Sequence, residues 1–191
     1  MKPSNESAQP PKPTPSPTIS RPVCPADVHP LSPQARARCF GAFDFEAAPL
    51  PGDKEHVKVL GDWRKRNIRG AHLPAFGGRA ARVVGVHVKI AGRLEALFRA
   101  WAEDDLLGDI VRWNGAYNPR FIRGSVTRLS NHSFGSAFDL NAAQNPLRDP
   151  GASWGEVGCV WRLVPRAFEQ GFYWGGWFKG RPDGMHFEAF R

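Results

Sequence analysis

Apolar residues recur at three- and four-residue intervals between Val86 and Leu107, so that Ile90, Leu94, Leu97, Phe98 and Trp101 share one helical face. That period predicts a helix laid against a core. His87 stands at its start, where a structural or surface role outweighs a metal role. Downstream, Ile110 to Tyr117 reads as a strand, and Ala137 to Asn141 as a second short strand ended by N-P and D-P turn signals. Val160 to Gln170 suits a helix with Gly171 as its stop, and Met185 to Phe190 alternates inward and outward residues as a closing strand. Between Val57 and Phe76, Val59, Leu60, Trp63, Ile68 and Leu73 alternate with charged patches, which predicts short strands and turns. The expected class is α+β, a small antiparallel sheet flanked by helices, with no internal repeat.

Residues 1–38 break this pattern. Pro, Ser, Thr and Lys dominate, no apolar period emerges, and a run such as P-P-K-P-T-P-S-P favours polyproline II geometry over helix or sheet. They are expected to form an extended linker, with residues 39–191 as one folded domain. Across 191 residues, 41% apolar and 12% aromatic content suffices for one core. No run approaches the ~18 apolar residues of a membrane span, and the N-terminus lacks the apolar stretch of a secretory signal.

A formal charge of +8 favours anionic partners: nucleic acid, membrane surfaces or an acidic wall polymer. The basic residues are scattered, without a stacked-aromatic RNA signature, a paired-cysteine finger or a basic heptad helix, so no specific nucleic-acid partner is expected. The three cysteines, Cys24, Cys39 and Cys159, form no C-x-x-C pair. Their odd number precludes a fully paired framework, although Cys24 and Cys39 could join.

The chemistry concentrates in two segments. S-N-H-S-F-G-S-A-F-D, Ser130 to Asp139, sets His132 before a glycine turn and Asp139 on the strand after it, and D-G-M-H-F-E presents Asp183, His186 and Glu188 near the C-terminus. Zinc accepts imidazole nitrogens and carboxylate oxygens in tetrahedral geometry, and a catalytic site keeps its fourth position for water. Two histidines and one aspartate make such an open site. Each residue also has a plain reading: an exposed turn histidine, a turn-capping aspartate, a satisfied core histidine. Glu188 reads as a surface salt-bridge partner, or else as support behind His186. Of Trp174 and Trp177, at least one is expected in the core, the alternative being a cleft wall.

Taken jointly, S-x-H-x-x-G-x-A-x-D followed by the Trp174 to Trp177 segment and D-x-x-H-F-E resembles the D-alanyl-D-alanine carboxypeptidase and L-alanyl-D-glutamate endopeptidase family, which includes many phage endolysins. The resemblance extends through G-A-Y-N-P-R, Gly115 to Arg120, and through Asn145–Pro146, covering roughly residues 57–191. It implies the zinc fold shared by these peptidases and hedgehog proteins. It further implies Zn2+ on His132, Asp139 and His186, Asp183 as catalytic base, and Arg120 and Ser130 on the substrate, with Arg123 an alternative to Arg120. The implied activity is hydrolysis of a peptide bond in peptidoglycan stem peptides; a monomer is expected and, from the lack of a recognisable export signal, one held in the cytoplasm until lysis or another export route delivers it to the anionic cell wall. A zinc-containing binding module of the same fold without hydrolysis is the alternative, and the presence of Asp183 speaks against it.

Overall fold

The computed structural model describes residues 18–191, so the expectation for residues 1–17 lies outside the described residues. The fold is α+β. In chain order it contains α1 (Pro33–Phe40), β1 (Phe45–Ala47), β2 (Val57–Val59), α2 (Trp63–Asn67), β3 (Ile68–Leu73), β4 (Arg82–His87), α3 (Val88–Glu103), β5 (Trp113–Gly115), β6 (Ala137–Leu140), α4 (Val164–Glu169), β7 (Phe172–Trp174) and β8 (His186–Ala189). Short 3-10 turns at Leu107–Asp109, Asn131–Phe134 and Gly175–Trp177 complete it. All sheets are antiparallel: β1 with β2, β3 with β4, and a four-stranded sheet in the order β5-β6-β8-β7.

The periodic helix is α3, and its apolar stripe Ile90, Leu94, Leu97, Phe98 and Trp101 is fully buried. It starts two residues later than Val86 because Val86 and His87 still pair with β3. His87 then caps the helix: its Nδ1 accepts the Lys89 N–H at 3.1 Å, which leaves Nε2–H to donate to the Phe40 carbonyl at 3.1 Å. Burial holds the imidazole below its ordinary pKa, and the neutral form suits both bonds. His87 is structural, as expected.

Trp101 lies under the four-stranded sheet, with its ring 6.5 Å from Phe138 and 6.4 Å from Phe187. Phe138 in turn stacks on Trp113 at 5.6 Å and on Phe187 at 5.3 Å. One face of the sheet is therefore an aromatic layer sealed by α3. The opposite face carries Asp139, His186 and Glu188. Because both faces of β8 are covered, His186 through Ala189 are all buried, and the inward–outward alternation expected of a closing strand is absent. The strand expected over 110–117 narrows to Trp113–Gly115, and the second helix to Val164–Glu169.

The segment read as a linker makes contacts with the domain at Arg21 and Pro22 and folds into a helix over Pro33–Phe40. Proline-rich chain offers carbonyls without matching N–H groups, and side-chain donors take them up. Trp177 Nε1–H donates to the Pro22 carbonyl at 2.8 Å. Arg21 donates to the Pro150 and Gly176 carbonyls, both at 2.9 Å, while its guanidinium lies over the Trp174 ring. Residues 33–40 form α1, begun by the Ser32 hydroxyl accepting the Ala35 N–H at 3.1 Å. Part of the segment expected to be a linker is thus packed against the domain expected to start at residue 39. All three cysteines are free thiols.

Gly135 closes the turn after His132 with φ +63°, and a Cβ there would stand 2.8 Å from the His87 nitrogen and 2.7 Å from Ile68 Cδ1. Gly135→Ala should lower stability by about 2–3 kcal/mol, combining left-handed strain with overpacking. Gly78 has a similar φ of +67° and open space around it, so Gly78→Ala should cost only about 1 kcal/mol. Equal losses in thermal melting of the two variants would refute the packing argument.

Candidate metal centre

Three elements bring the donors together. The Ser130 hydroxyl begins the 3-10 turn Asn131–Phe134 by accepting the His132 N–H at 3.4 Å, which fixes the histidine backbone. Pairing of β6 with β8 sets Asp139 directly opposite His186. Each imidazole is then held from behind. His132 Nδ1 lies 2.7 Å from the Ala116 carbonyl, an acceptor only, so Nδ1 carries the proton and Nε2 faces Asp139. His186 Nε2 lies 3.0 Å from Glu188 Oε2, so Nδ1 faces inward.

The three inner atoms form a triangle. His186 Nδ1 is 3.0 Å and His132 Nε2 is 3.2 Å from Asp139 Oδ1, and the two nitrogens are 3.2 Å apart. Each inner nitrogen carries at most one proton, so two protons cannot make hydrogen bonds of all three edges. A cation satisfies all three at once. Ligands about 2.0–2.1 Å from a tetrahedral zinc stand about 3.3 Å from one another, close to the edges found here. Two buried imidazoles fixed by outer acceptors and one half-buried carboxylate are a donor set that fits zinc.

The electrostatics agree. Burial opposes ionisation of Asp139, yet the charges and hydrogen bonds of His132 and His186 outweigh it and hold the carboxyl far below the usual carboxylate range. Burial likewise opposes charging of His186, but its bonds to Asp139 and Glu188 raise its pKa to about 10. Proton and metal therefore compete for the inner nitrogen.

Glu188 is not a surface salt-bridge partner. It is 2% exposed, accepts from His186, and also accepts from the Asn131 amide. Its other oxygen lies 3.8 Å from the Arg36 guanidinium, which is itself buried and donates to the Leu31 carbonyl at 2.8 Å. The sequence signal for Glu188 was its place two residues beyond His186 on one strand. Nothing local announced Arg36, which reaches the site from the segment expected to be a linker.

A cleft of about 340 Å3 opens onto the triangle. Arg120, Arg123, Ser130 and Asp183 all line it, so both candidate arginines reach the same space, with Arg120 half-buried and Arg123 exposed. Arg181, which the sequence reading passed over, lines it too, as do Pro30 and Leu31. Ser130 combines a place in the cleft wall with its capping bond to His132.

Asp183 sits on a tightly packed return loop. Its N–H donates to the Gly175 carbonyl at 3.0 Å, its carbonyl accepts the His186 N–H at 3.1 Å, and Trp174 Nε1–H holds the Gly184 carbonyl at 2.8 Å. Trp174 is thus a core residue that fixes the loop, while Trp177 is half-buried against the N-terminal segment. Gly175 is required by space, since a Cβ there would stand 2.6 Å from the Asp183 carbonyl oxygen. Asp183 Oδ1 is buried without a hydrogen-bond partner. Burial, foremost, pushes this carboxyl's pKa up, opposed by the charges of His186, His132 and Arg181 and assisted by that of Asp139.

Metal-stripped protein should bind one zinc ion, with release of the inner His186 proton and an apparent affinity that rises as pH approaches 10. Asp139→Ala should abolish tight binding. Glu188→Gln should weaken it about 10- to 100-fold by loosening His186, without unfolding the chain. Calorimetric titration with zinc checks all three, and wild-type affinity in Glu188→Gln would exclude the supporting role.

A family model described as D-alanyl-D-alanine carboxypeptidase matches residues 123–189, about a third of the chain. No curated protein and no solved structure matches. The matched stretch contains His132, Asp139, Asp183, His186 and Glu188, whereas Arg36 and Arg120 precede it. Over that stretch the chain is similar to a peptidase family, and there it carries a buried His-Asp-His group able to take a metal ion.

Proposed function

We propose that this protein is a zinc-dependent peptidase that cleaves a peptide bond in peptidoglycan stem peptides, as an L-Ala-D-Glu endopeptidase or D-Ala-D-Ala carboxypeptidase. The observation that carries the reading is Asp183 Oδ1, buried and unpartnered in the cleft that also contains His132, Asp139 and His186. A desolvated carboxylate oxygen without a donor is costly unless a ligand or water supplies one. Beside a metal triangle, that is the place of a proton acceptor.

Zinc held by His132, Asp139 and His186 would acidify a water and polarise the scissile carbonyl. Asp183 takes the water's proton and returns it to the leaving amine. Its burial raises its affinity for that proton, which suits the second half of the transfer. Arg120, half-buried in the cleft wall, offers a planar fork for a substrate carboxylate, and stem peptides carry free carboxylates. Fixing the substrate there converts binding energy into alignment of the scissile bond. The wall also has an apolar side, Pro30 and Leu31, suited to an alkyl side chain.

Digestion of purified peptidoglycan followed by mass spectrometry should release stem-peptide fragments whose masses name the bond. Asp183→Asn should keep its zinc and lose about 100- to 10,000-fold in rate, because the amide keeps the shape but accepts no proton. Wild-type turnover in that variant would refute the base, and loss of zinc would make Asp183 a ligand instead.

A further inference from the structure

The cleft holds more positive charge than one carboxylate requires. Arg120, Arg123 and Arg181 all line it, and among the described residues none of the three forms an ion pair. Arg120 spends one guanidinium donor on the Phe121 carbonyl at 3.3 Å. Arg181 reaches from the loop that carries Asp183 across to the opposite wall, where its terminal nitrogen makes a long 3.4 Å bond to the Arg123 carbonyl. Its Nε–H is buried and has no acceptor. The backbone beneath it is fixed, since the Pro182 carbonyl accepts the Arg148 N–H at 2.7 Å and Asp183 bridges to Leu147.

A guanidinium with a dehydrated, unused donor on a rigid loop is prearranged for an acceptor that arrives with a ligand. The acids that line the cleft with it have other work: Asp139 and Glu188 hold the histidines, and Asp183 feels the charge of Arg181 without bonding to it. We infer that Arg181 is a second anion-binding residue, taking a second free carboxylate of the substrate, distinct from the one held at Arg120. This rests on the peptidase reading and narrows it to stem peptides that present two carboxylates within the span of the cleft. Arg181 acts in binding and leaves the bond-breaking step to Asp183 and the metal.

The test uses the zinc-loaded protein and a synthetic stem peptide, offered with all carboxylates free and with each converted singly to an amide. The wild-type protein should lose affinity at two distinct carboxylates. Arg181→Gln should raise KM for the free peptide about tenfold or more, with kcat and zinc content little changed. One amidated peptide should then show no further loss on going from wild type to Arg181→Gln, and a different one should do so for Arg120→Gln. Arg181→Lys should recover part of the affinity. A loss in Arg181→Gln that is the same for every peptide marks a loop clip and overturns the inference, as does unchanged KM. Sensitivity of the wild-type protein to only one amidation also overturns it, even where Arg181→Gln fails to fold. Absence of any hydrolysis of the free peptide by the wild-type protein would instead remove the peptidase reading on which the inference stands.

Discussion

The site depends on one strand register. Asp139 faces His186 and Phe138 faces Phe187 because β6 and β8 pair antiparallel at those positions. Side chains alternate across a strand, so a slip by one residue exchanges the two sets between faces. The phenylalanines lie in an aromatic layer with Trp101 and Trp113, where burial makes such a slip costly. The hydrophobic layer thus fixes the polar one on the reverse of the same two strands.

Holding buried charge on that reverse face requires compensation at each step. Asp139 is offset by two imidazoles, His186 by Asp139 and Glu188, and Glu188 by Asn131 and Arg36. Isolated, any of these charges is expensive to bury; linked, each supplies the partner the next one needs. The chain of pairs ends at Arg36 on α1, which ties the N-terminal segment to the centre. Residues 30–36 are therefore part of the site's architecture, and Pro30 and Leu31 form part of the cleft wall.

The acid in the cleft is positioned by packing rather than by backbone freedom. Gly184 lacks a positive φ, so the bend that carries Asp183 does not rely on a left-handed glycine there. Its Cβ would stand 3.1 Å from Asn145 Cβ, and Asn145 is itself tied to the Asn141 and Gly158 carbonyls. Trp174, Gly175 and Asn145 together hold and pack against residues 183–186. That packing places a carboxylate beside the triangle without pairing it.

The sequence by itself determined what local periodicity and residue chemistry can specify. The apolar stripe from Ile90 to Trp101 marked α3, whereas His132, Asp139 and His186 offered a zinc donor set with plainer readings beside it, and only the joint motif's resemblance to a peptidase family favoured the metal. Tertiary structure decided the rest, and for a common reason: the deciding contacts join residues far apart in the chain. Glu188 looked exposed because a polar residue alternating with Phe187 normally faces water; here that face is covered by His186, Asn131 and Arg36. The segment before residue 39 looked like a linker because it has no period, yet Trp177 and Arg36 hold its carbonyls and its own Arg21 donates to carbonyls of the domain, without needing one. Whether a side-chain donor elsewhere meets such a carbonyl depends on the folded path of the whole chain, and local pattern carries no record of it.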